Sequence, residues 1–87
     1  MPSILITGAN RGLGLAHAQA YAAEGWRVYA ACRTPEKADA LHALPGATVL
    51  RHDAAERGGS AALAAQIWDA AIDVFLNNAG MSGGWDS

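Results

Sequence analysis

Four short apolar runs recur along the chain and alternate with longer stretches of helical character. Runs of this length that end at glycine, proline or polar residues are typical of strands buried on both faces of a sheet. The predicted strands are Ser3–Thr7, Arg27–Cys32, Ala47–Arg51 and Asp73–Leu76. The predicted helices are Leu13–Glu24, Pro35–Leu44 and Ser60–Ala71, with Ser60 as the cap of the third.

The first predicted helix has its larger side chains on one stripe. Leu13, His17 and Tyr21 lie four residues apart, with Ala18 and Ala22 beside them. Residues at this spacing share one face of a helix. We therefore expect this stripe, including His17 as a packed histidine, to face the sheet.

The alternation of strands and helices predicts the fold class. A β-α-β-α-β-α-β order implies an α/β fold with a doubly wound parallel sheet and right-handed crossovers. The expected strand order is 3-2-1-4, with the fourth strand at an open edge. That edge predicts self-association, because an unpaired apolar strand can pair with another chain. The chain has 87 residues, 52% of them hydrophobic and 16% charged, which suits one small domain or part of a larger one.

Three glycines lie between the first strand and the first helix and carry the strongest functional signal. Gly8 lets the chain turn off the strand, Gly12 lets a phosphate approach the backbone, and Gly14 lets the helix pack closely on the sheet. Phosphates bind readily at the amino end of a helix. The loop therefore predicts dinucleotide binding, and a plain glycine-containing turn is the alternative interpretation.

The end of the second strand indicates which dinucleotide is bound. A carboxylate there would select NAD by bonding the ribose 2′-hydroxyl, but this chain has Arg33 at that point. An arginine favours the 2′-phosphate of NADP, and Arg11 in the glycine loop adds a second positive group. NADP is therefore the predicted cofactor, with NAD as the less favoured choice. The alternative is that both arginines are simply solvated loop residues.

Charge and composition argue against several other classes of protein. The net charge is −2 and no basic run is present, so a nucleic-acid partner is not expected. No apolar stretch approaches the roughly 18 residues of a membrane span, and we expect neither a signal peptide nor a membrane. The single Cys32 fits a reducing compartment, and a cytoplasmic location is predicted. His42, His52 and Asp53 lack zinc-like spacing, so no metal site is predicted.

Two motifs together resemble the short-chain dehydrogenase/reductase family. They are TGANRGLG, Thr7–Gly14, and NNAG, Asn77–Gly80, which follows the fourth predicted strand. The resemblance implies a Rossmann-type sheet and hydride transfer between carbonyl and alcohol substrates. It is greatest to NADP-preferring members such as carbonyl reductases.

The resemblance also implies roles for the residues that match the motifs. Those that would line the pyrophosphate and ribose are Gly8, Arg11, Gly12, Leu13 and Gly14. Those that would lie beside the adenosine ribose and stabilise the central sheet are Asn77, Ala79 and Gly80. Asp53, just after the third strand, matches the aspartate that contacts adenine.

The family's catalytic serine, tyrosine and lysine have no counterparts that can be assigned in this chain. The sole lysine, Lys37, has no tyrosine four residues before it. We therefore expect residues 1–87 to be the N-terminal, NADP(H)-binding part of a Rossmann domain, without the catalytic half. The chain alone is then predicted to be inactive, with no catalytic residues. The alternative is a non-catalytic nucleotide-binding or interaction module.

Overall fold

A computed structural model describes residues 2–10, 12–53, 58–68 and 70–77 of the chain. The strands are β1 (Ser3–Thr7), β2 (Arg27–Cys32), β3 (Ala47–Arg51) and β4 (Val74–Asn77). The helices are α1 (Gly12–Ala23), α2 (Asp39–His42) and α3 (Gly59–Gln66), and a 3₁₀ turn over Pro35–Lys37 precedes α2.

The four strands form one parallel sheet in the order β3-β2-β1-β4. Ile4 of β1 pairs with Val28 of β2 on one side and with Val74 of β4 on the other. The chain thus moves outward from β1 through β2 to β3 and then crosses back to the opposite side of β1. The α/β class and the predicted strand order are confirmed.

Alternate side chains of the strands build a separate core on each face of the sheet. Helices α1 and α2 cover one face, and α3 covers part of the other. The core on the α1 side contains Ile4, Ile6, Val28, Ala30, Cys32, Ala18, Ala22, Ala38 and Leu41. The core on the α3 side is smaller and contains Leu5, Ala31, Leu50 and Leu63. Every residue of β1 is buried, so β1 is the centre of the structure.

The predicted buried face of α1 is right for Ala18, Ala22 and the partly buried Tyr21, and it is wrong for Leu13 and His17. The residues that face the sheet are Gly14, Ala18 and Ala22, whereas Leu13 is 66% exposed and His17 lies in solvent. Small side chains allow the helix axis to approach the sheet closely, and a stripe of larger residues would hold it away. His17 is therefore not a packed histidine.

The second and third helices are shorter than predicted. Ala38 has φ −95° and ψ 57°, which separates the 3₁₀ turn from α2. The fully buried Ala38 and Leu41 anchor this connection. Helix α3 begins at Gly59 and not at Ser60, because Gly58 with φ 78° takes the capping position. A left-handed backbone of this kind suits glycine.

Helix α3 ends at Gln66, five residues before the predicted end, where a side chain docks on the edge of β3. The Gln66 amide accepts a hydrogen bond from the Arg51 N–H at 3.2 Å and donates one to the Arg51 carbonyl at 2.8 Å. The chain then turns toward β4, which begins and ends one residue later than predicted. A hydrogen bond from β1 holds the start of β4 in place: the Ser3 N–H donates to Oδ2 of Asp73, the residue before β4, at 2.8 Å.

The close approach of α1 to the sheet predicts a large difference between two alanines on the same helix. Ala18→Leu should lower the free energy of unfolding by about 1–3 kcal/mol, because Ala18 is fully buried and a larger side chain must overpack. Ala20→Leu, on the exposed face, should change it by less than about 0.5 kcal/mol. Urea denaturation of both variants measures the difference. Equal effects would contradict the packing described here.

Candidate functional site

The carboxyl ends of all four strands lie along one edge of the sheet, because the strands are parallel. The residues that follow them are therefore brought together from distant parts of the sequence. Thr7 ends β1, Cys32 ends β2, Arg51 ends β3 and Asn77 ends β4. In open α/β sheets, ligands bind in the crevice outside this edge, where the strand order reverses. Here the reversal occurs at β1.

The turn between β1 and α1 requires glycine at two positions. Gly8 and Gly12 both have φ 60°, a left-handed backbone that a side chain would strain. Ala9 between them is fully buried, and its N–H donates to the Ala31 carbonyl at 3.0 Å. This bond fixes the turn against the end of β2. The shape of the turn is thus set by backbone conformation and one cross-strand hydrogen bond.

Helix α1 begins inside this turn, at Gly12, and continues for 12 residues. The first backbone N–H groups of a helix have no partner within the helix, and they carry a partial positive charge. Gly14 is buried against the sheet, so the first turn of the helix lies directly over it. The exposed Leu13 lies beside the same helix end. The arrangement presents N–H donors at the carboxyl edge of β1.

A side-chain hydrogen bond joins the carboxyl ends of β1 and β4. The Thr7 hydroxyl donates to Asn77 Oδ1 at 2.9 Å, and Thr7 is almost fully buried. Asn77 was predicted at the site from its motif, whereas its partner Thr7 was not. The two residues are paired in the β1–β4 register, so a strand alignment alone brings them together.

The end of β2 presents a buried thiol followed by an exposed guanidinium. Cys32 is 2% exposed, and burial raises the pKa of its thiol. The Thr34 N–H acts in the opposite direction, and Glu36 adds to the rise in pKa. The thiol is therefore protonated at neutral pH and is a poor nucleophile. Arg33, the next residue, is exposed at the carboxyl edge.

His52 is a residue of this edge whose place the sequence analysis missed. Its N–H donates to the Cys32 carbonyl at 2.8 Å, and its buried Nδ1 has no hydrogen-bond partner among the described residues. The ring lines a cavity of about 310 Å³ beside Thr7, Asn77 and Phe75. The sequence did indicate this location for His52, because a residue directly after β3 must lie at the carboxyl edge of the sheet. Asp53 follows it and is half-buried.

Within the described ranges, no group of three or more histidine, cysteine, aspartate or glutamate side chains converges as a metal site would require. None of the helices in those ranges is both long and apolar enough to span a membrane.

Comparison with known proteins identifies the family. The family model for short chain dehydrogenase matches residues 2–86. The chain belongs to the short-chain dehydrogenase family. It is 36% identical over 86 residues to serine 3-dehydrogenase of Rhizobium radiobacter, an alignment that covers 92% of this chain and 34% of that enzyme.

Solved structures of similar proteins share the fold. Menthone neomenthol reductase from Mentha piperita superposes with a TM-score of 0.77 at 26% identity, covering 88% of this chain and 31% of that one. A Pseudomonas aeruginosa RhlG/NADP active-site complex gives 0.76 at 28% identity, covering 88% and 34%. The chain thus spans about a third of the length of these relatives.

The short-chain dehydrogenase fold brings together most of the residues predicted for the site. Those that lie at the carboxyl edge are Gly8, Gly12, Leu13, Gly14, Arg33, Asp53 and Asn77. Arg11, Ala79 and Gly80 lie outside the described residues, so their roles stay predictions.

Proposed function

We propose that this chain forms the NADP(H)-binding part of a short-chain dehydrogenase/reductase that acts on carbonyl and alcohol substrates. The observation that carries the proposal is the glycine turn from β1 into the amino end of α1. It lies at the sheet edge where the strand order reverses, which is where doubly wound sheets bind dinucleotides.

The pyrophosphate is assigned to the first turn of α1. Positive φ at Gly8 and Gly12 turns the backbone toward the helix start without side chains in the way. The unpaired N–H groups and the partial positive charge there suit a diphosphate. Arg11 between these glycines would add a full positive charge. Together these groups account for binding of a diphosphate but do not distinguish NADP from NAD.

The adenosine half is assigned to the side of β1 on which β2 and β3 lie. Arg33 follows β2 and would bind the 2′-phosphate with its guanidinium, which suits phosphate geometry. Asp53 follows β3 and would contact adenine. Asn77 ends β4, on the other side of β1, and would lie beside the adenosine ribose where it approaches β1. Support for NADP comes from Arg33 in place of a carboxylate and from the similar RhlG protein, whose structure is described as a complex with NADP.

When bound, the dinucleotide would supply hydride transfer between its nicotinamide ring and a carbonyl carbon. This chain's own part would be to hold and orient the dinucleotide at the sheet edge. The proton acid of the family is a tyrosine with a lysine four residues later, and residue 33, four before the sole Lys37, is arginine. We therefore assign binding to these 87 residues and no proton transfer.

The first prediction concerns the glycine turn. Gly12→Ala should weaken NADPH binding at least about tenfold, because a methyl group both strains a positive φ and occupies the approach to the helix start. Gly25→Ala is the matched control: Gly25 also has a positive φ, 86°, but lies at the other end of α1 with nothing within 4 Å of an added methyl. Binding is measured by NADPH fluorescence titration. Comparable losses in both variants would show that strain alone explains the effect.

The second prediction concerns cofactor choice. Arg33→Asp should weaken NADPH binding by about 10- to 100-fold and leave NADH binding little changed, because only NADPH carries the 2′-phosphate. Arg27→Asp reverses the same charge at the opposite end of β2, about 20 Å away, and controls for net charge. Isothermal titration of the wild type and both variants with each nucleotide measures the six affinities. An unchanged ratio of NADPH to NADH affinity in Arg33→Asp would overturn the assignment of NADP.

The third prediction concerns catalysis. The purified chain should bind NADPH but not oxidise it in the presence of aldehydes and ketones, because the proton acid is missing. Loss of absorbance at 340 nm above the protein-free rate is the measurement. Turnover with any substrate of such a panel would refute the assignment of binding alone, while leaving the nucleotide site itself in place.

A further inference from the structure

The two residues before Asp53 are held from opposite sides at the carboxyl end of β3. On the β2 side, the His52 N–H donates to the Cys32 carbonyl at 2.8 Å. On the outer side, the Arg51 N–H donates to Gln66 Oε1 at 3.2 Å, and Gln66 Nε2 donates to the Arg51 carbonyl at 2.8 Å. Successive residues of a strand direct their backbone groups to opposite sides, so each bond holds a different residue. The end of β3 is therefore clamped between β2 and one side chain of α3.

The Gln66 amide uses its oxygen and both of its N–H groups in this place. Besides its two bonds to Arg51, the amide nitrogen donates to the Ala62 carbonyl, one turn earlier in α3, at 3.2 Å. The reversed amide would set its N–H groups against the Arg51 N–H, so the hydrogen bonds themselves determine its orientation. The side chain thus ties the last turn of α3 to β3 in the way that a residue of a further strand would.

Helix α3 is also anchored to the sheet by apolar contact. Leu63 lies three residues before Gln66, and residues at this spacing share one face of a helix. Leu63 is almost fully buried in the α3-side core with Leu50 of β3. The Gln66 side chain is therefore mounted on a packed helix, and the clamp joins two elements that lie wholly within the described residues.

We propose that Gln66 is a positioning residue for the recognition of adenine by Asp53. This inference rests on the proposed function, in which Asp53 contacts adenine. The exocyclic amino group of adenine donates hydrogen bonds and a carboxylate accepts them, so the contact requires a defined distance and angle. Asp53 lies two residues after Arg51, and its carboxylate is placed by the chain that Gln66 holds. Gln66 itself would contact no atom of the nucleotide.

The clamp acts on affinity through pre-organisation. A segment that is held before the ligand arrives loses less conformational freedom when the ligand binds. Without the Gln66 amide, the end of β3 would keep the His52 hydrogen bond on its β2 side and lose the two on its outer side. The loss should be confined to adenine, because the pyrophosphate is assigned to the turn after β1, two strands away.

Gln66→Met tests the role of the amide, because methionine has a similar length but cannot form the three hydrogen bonds. Fluorescence titration compares NADPH with deamino-NADPH, in which hypoxanthine replaces adenine. Wild type should prefer NADPH by at least about tenfold, because a hydrogen bond to a charged group is lost with hypoxanthine. Gln66→Met should reduce this preference to about threefold or less, mainly through weaker NADPH binding. Gln19→Met, at an exposed position of α1, is the matched control and should keep the wild-type preference.

A thermodynamic cycle separates positioning from a general loss of stability. Asp53→Ala should remove the preference for adenine by itself. Adding Gln66→Met to Asp53→Ala should then change NADPH affinity by less than about twofold, because the two residues act through one contact. A merely structural role of Gln66 would lower the affinity by the same factor with and without Asp53.

Two further measurements keep the test decisive if Gln66→Met folds poorly. Gln66→Glu keeps an acceptor for the Arg51 N–H but has no amide N–H to donate, so its preference for adenine should lie between those of wild type and Gln66→Met. Amide hydrogen exchange at Arg51, followed by NMR, should be faster in either variant than in wild type.

The outcomes distinguish this inference from the proposed function. Adenine preference that stays at the wild-type value in Gln66→Met and Gln66→Glu, or equal effects with and without Asp53, would refute the positioning role and leave NADPH binding intact. A wild type that binds NADPH and deamino-NADPH equally would refute the adenine contact of Asp53 and this inference with it. The proposed function itself fails only if the wild type does not bind NADPH.

Discussion

The structure depends on the parallel arrangement of its strands. A parallel pair cannot be joined by a tight turn, so each connection must cross back over a face of the sheet. All carboxyl ends consequently lie along one edge, and the turns that follow them meet there. The glycine turn after Thr7, Arg33 after β2, Asp53 after β3 and Asn77 at the end of β4 are brought together for this reason.

The strands were predictable because burial on both faces leaves a simple signature. A short apolar run marks a strand whichever way its side chains point, and the bounds of β1, β2 and β3 agree residue for residue with prediction. Helix α1 was predictable in extent, and its buried face in part. Ala18 and Ala22 were expected inside, but the rule that places larger side chains inside failed for Leu13 and His17, which are exposed. Gly14 indicates a close approach of the helix to the sheet, and that approach favours small residues on the buried face.

The candidate site was predictable only as far as the strands determine it. Residues directly after a strand must lie at the carboxyl edge, so Arg33, Asp53 and Asn77 could be placed there from the sequence. The hydrogen bonds from Ala9 to Ala31 and from Thr7 to Asn77 could not, because they depend on how neighbouring strands align. The same is true of the contact between Gln66 and Arg51, which lies at the residue where α3 ends. Such contacts depend on side chains that meet only after the backbone has folded.

Burial decreases across the sheet from β1 toward β4. All five residues of β1 are buried, whereas three of the four residues of β4 are exposed. The α3-side core is small because α3 ends at Gln66 and does not extend over Phe75. Local stability follows buried apolar contact, so β4 is expected to be the first strand to separate. A ligand that contacts β4 only when it is paired with β1 stabilises the folded form, and the stabilisation grows with the logarithm of its concentration above the dissociation constant. Asn77 ends β4 at the carboxyl edge, so a ligand bound there would stabilise the strand with the least burial.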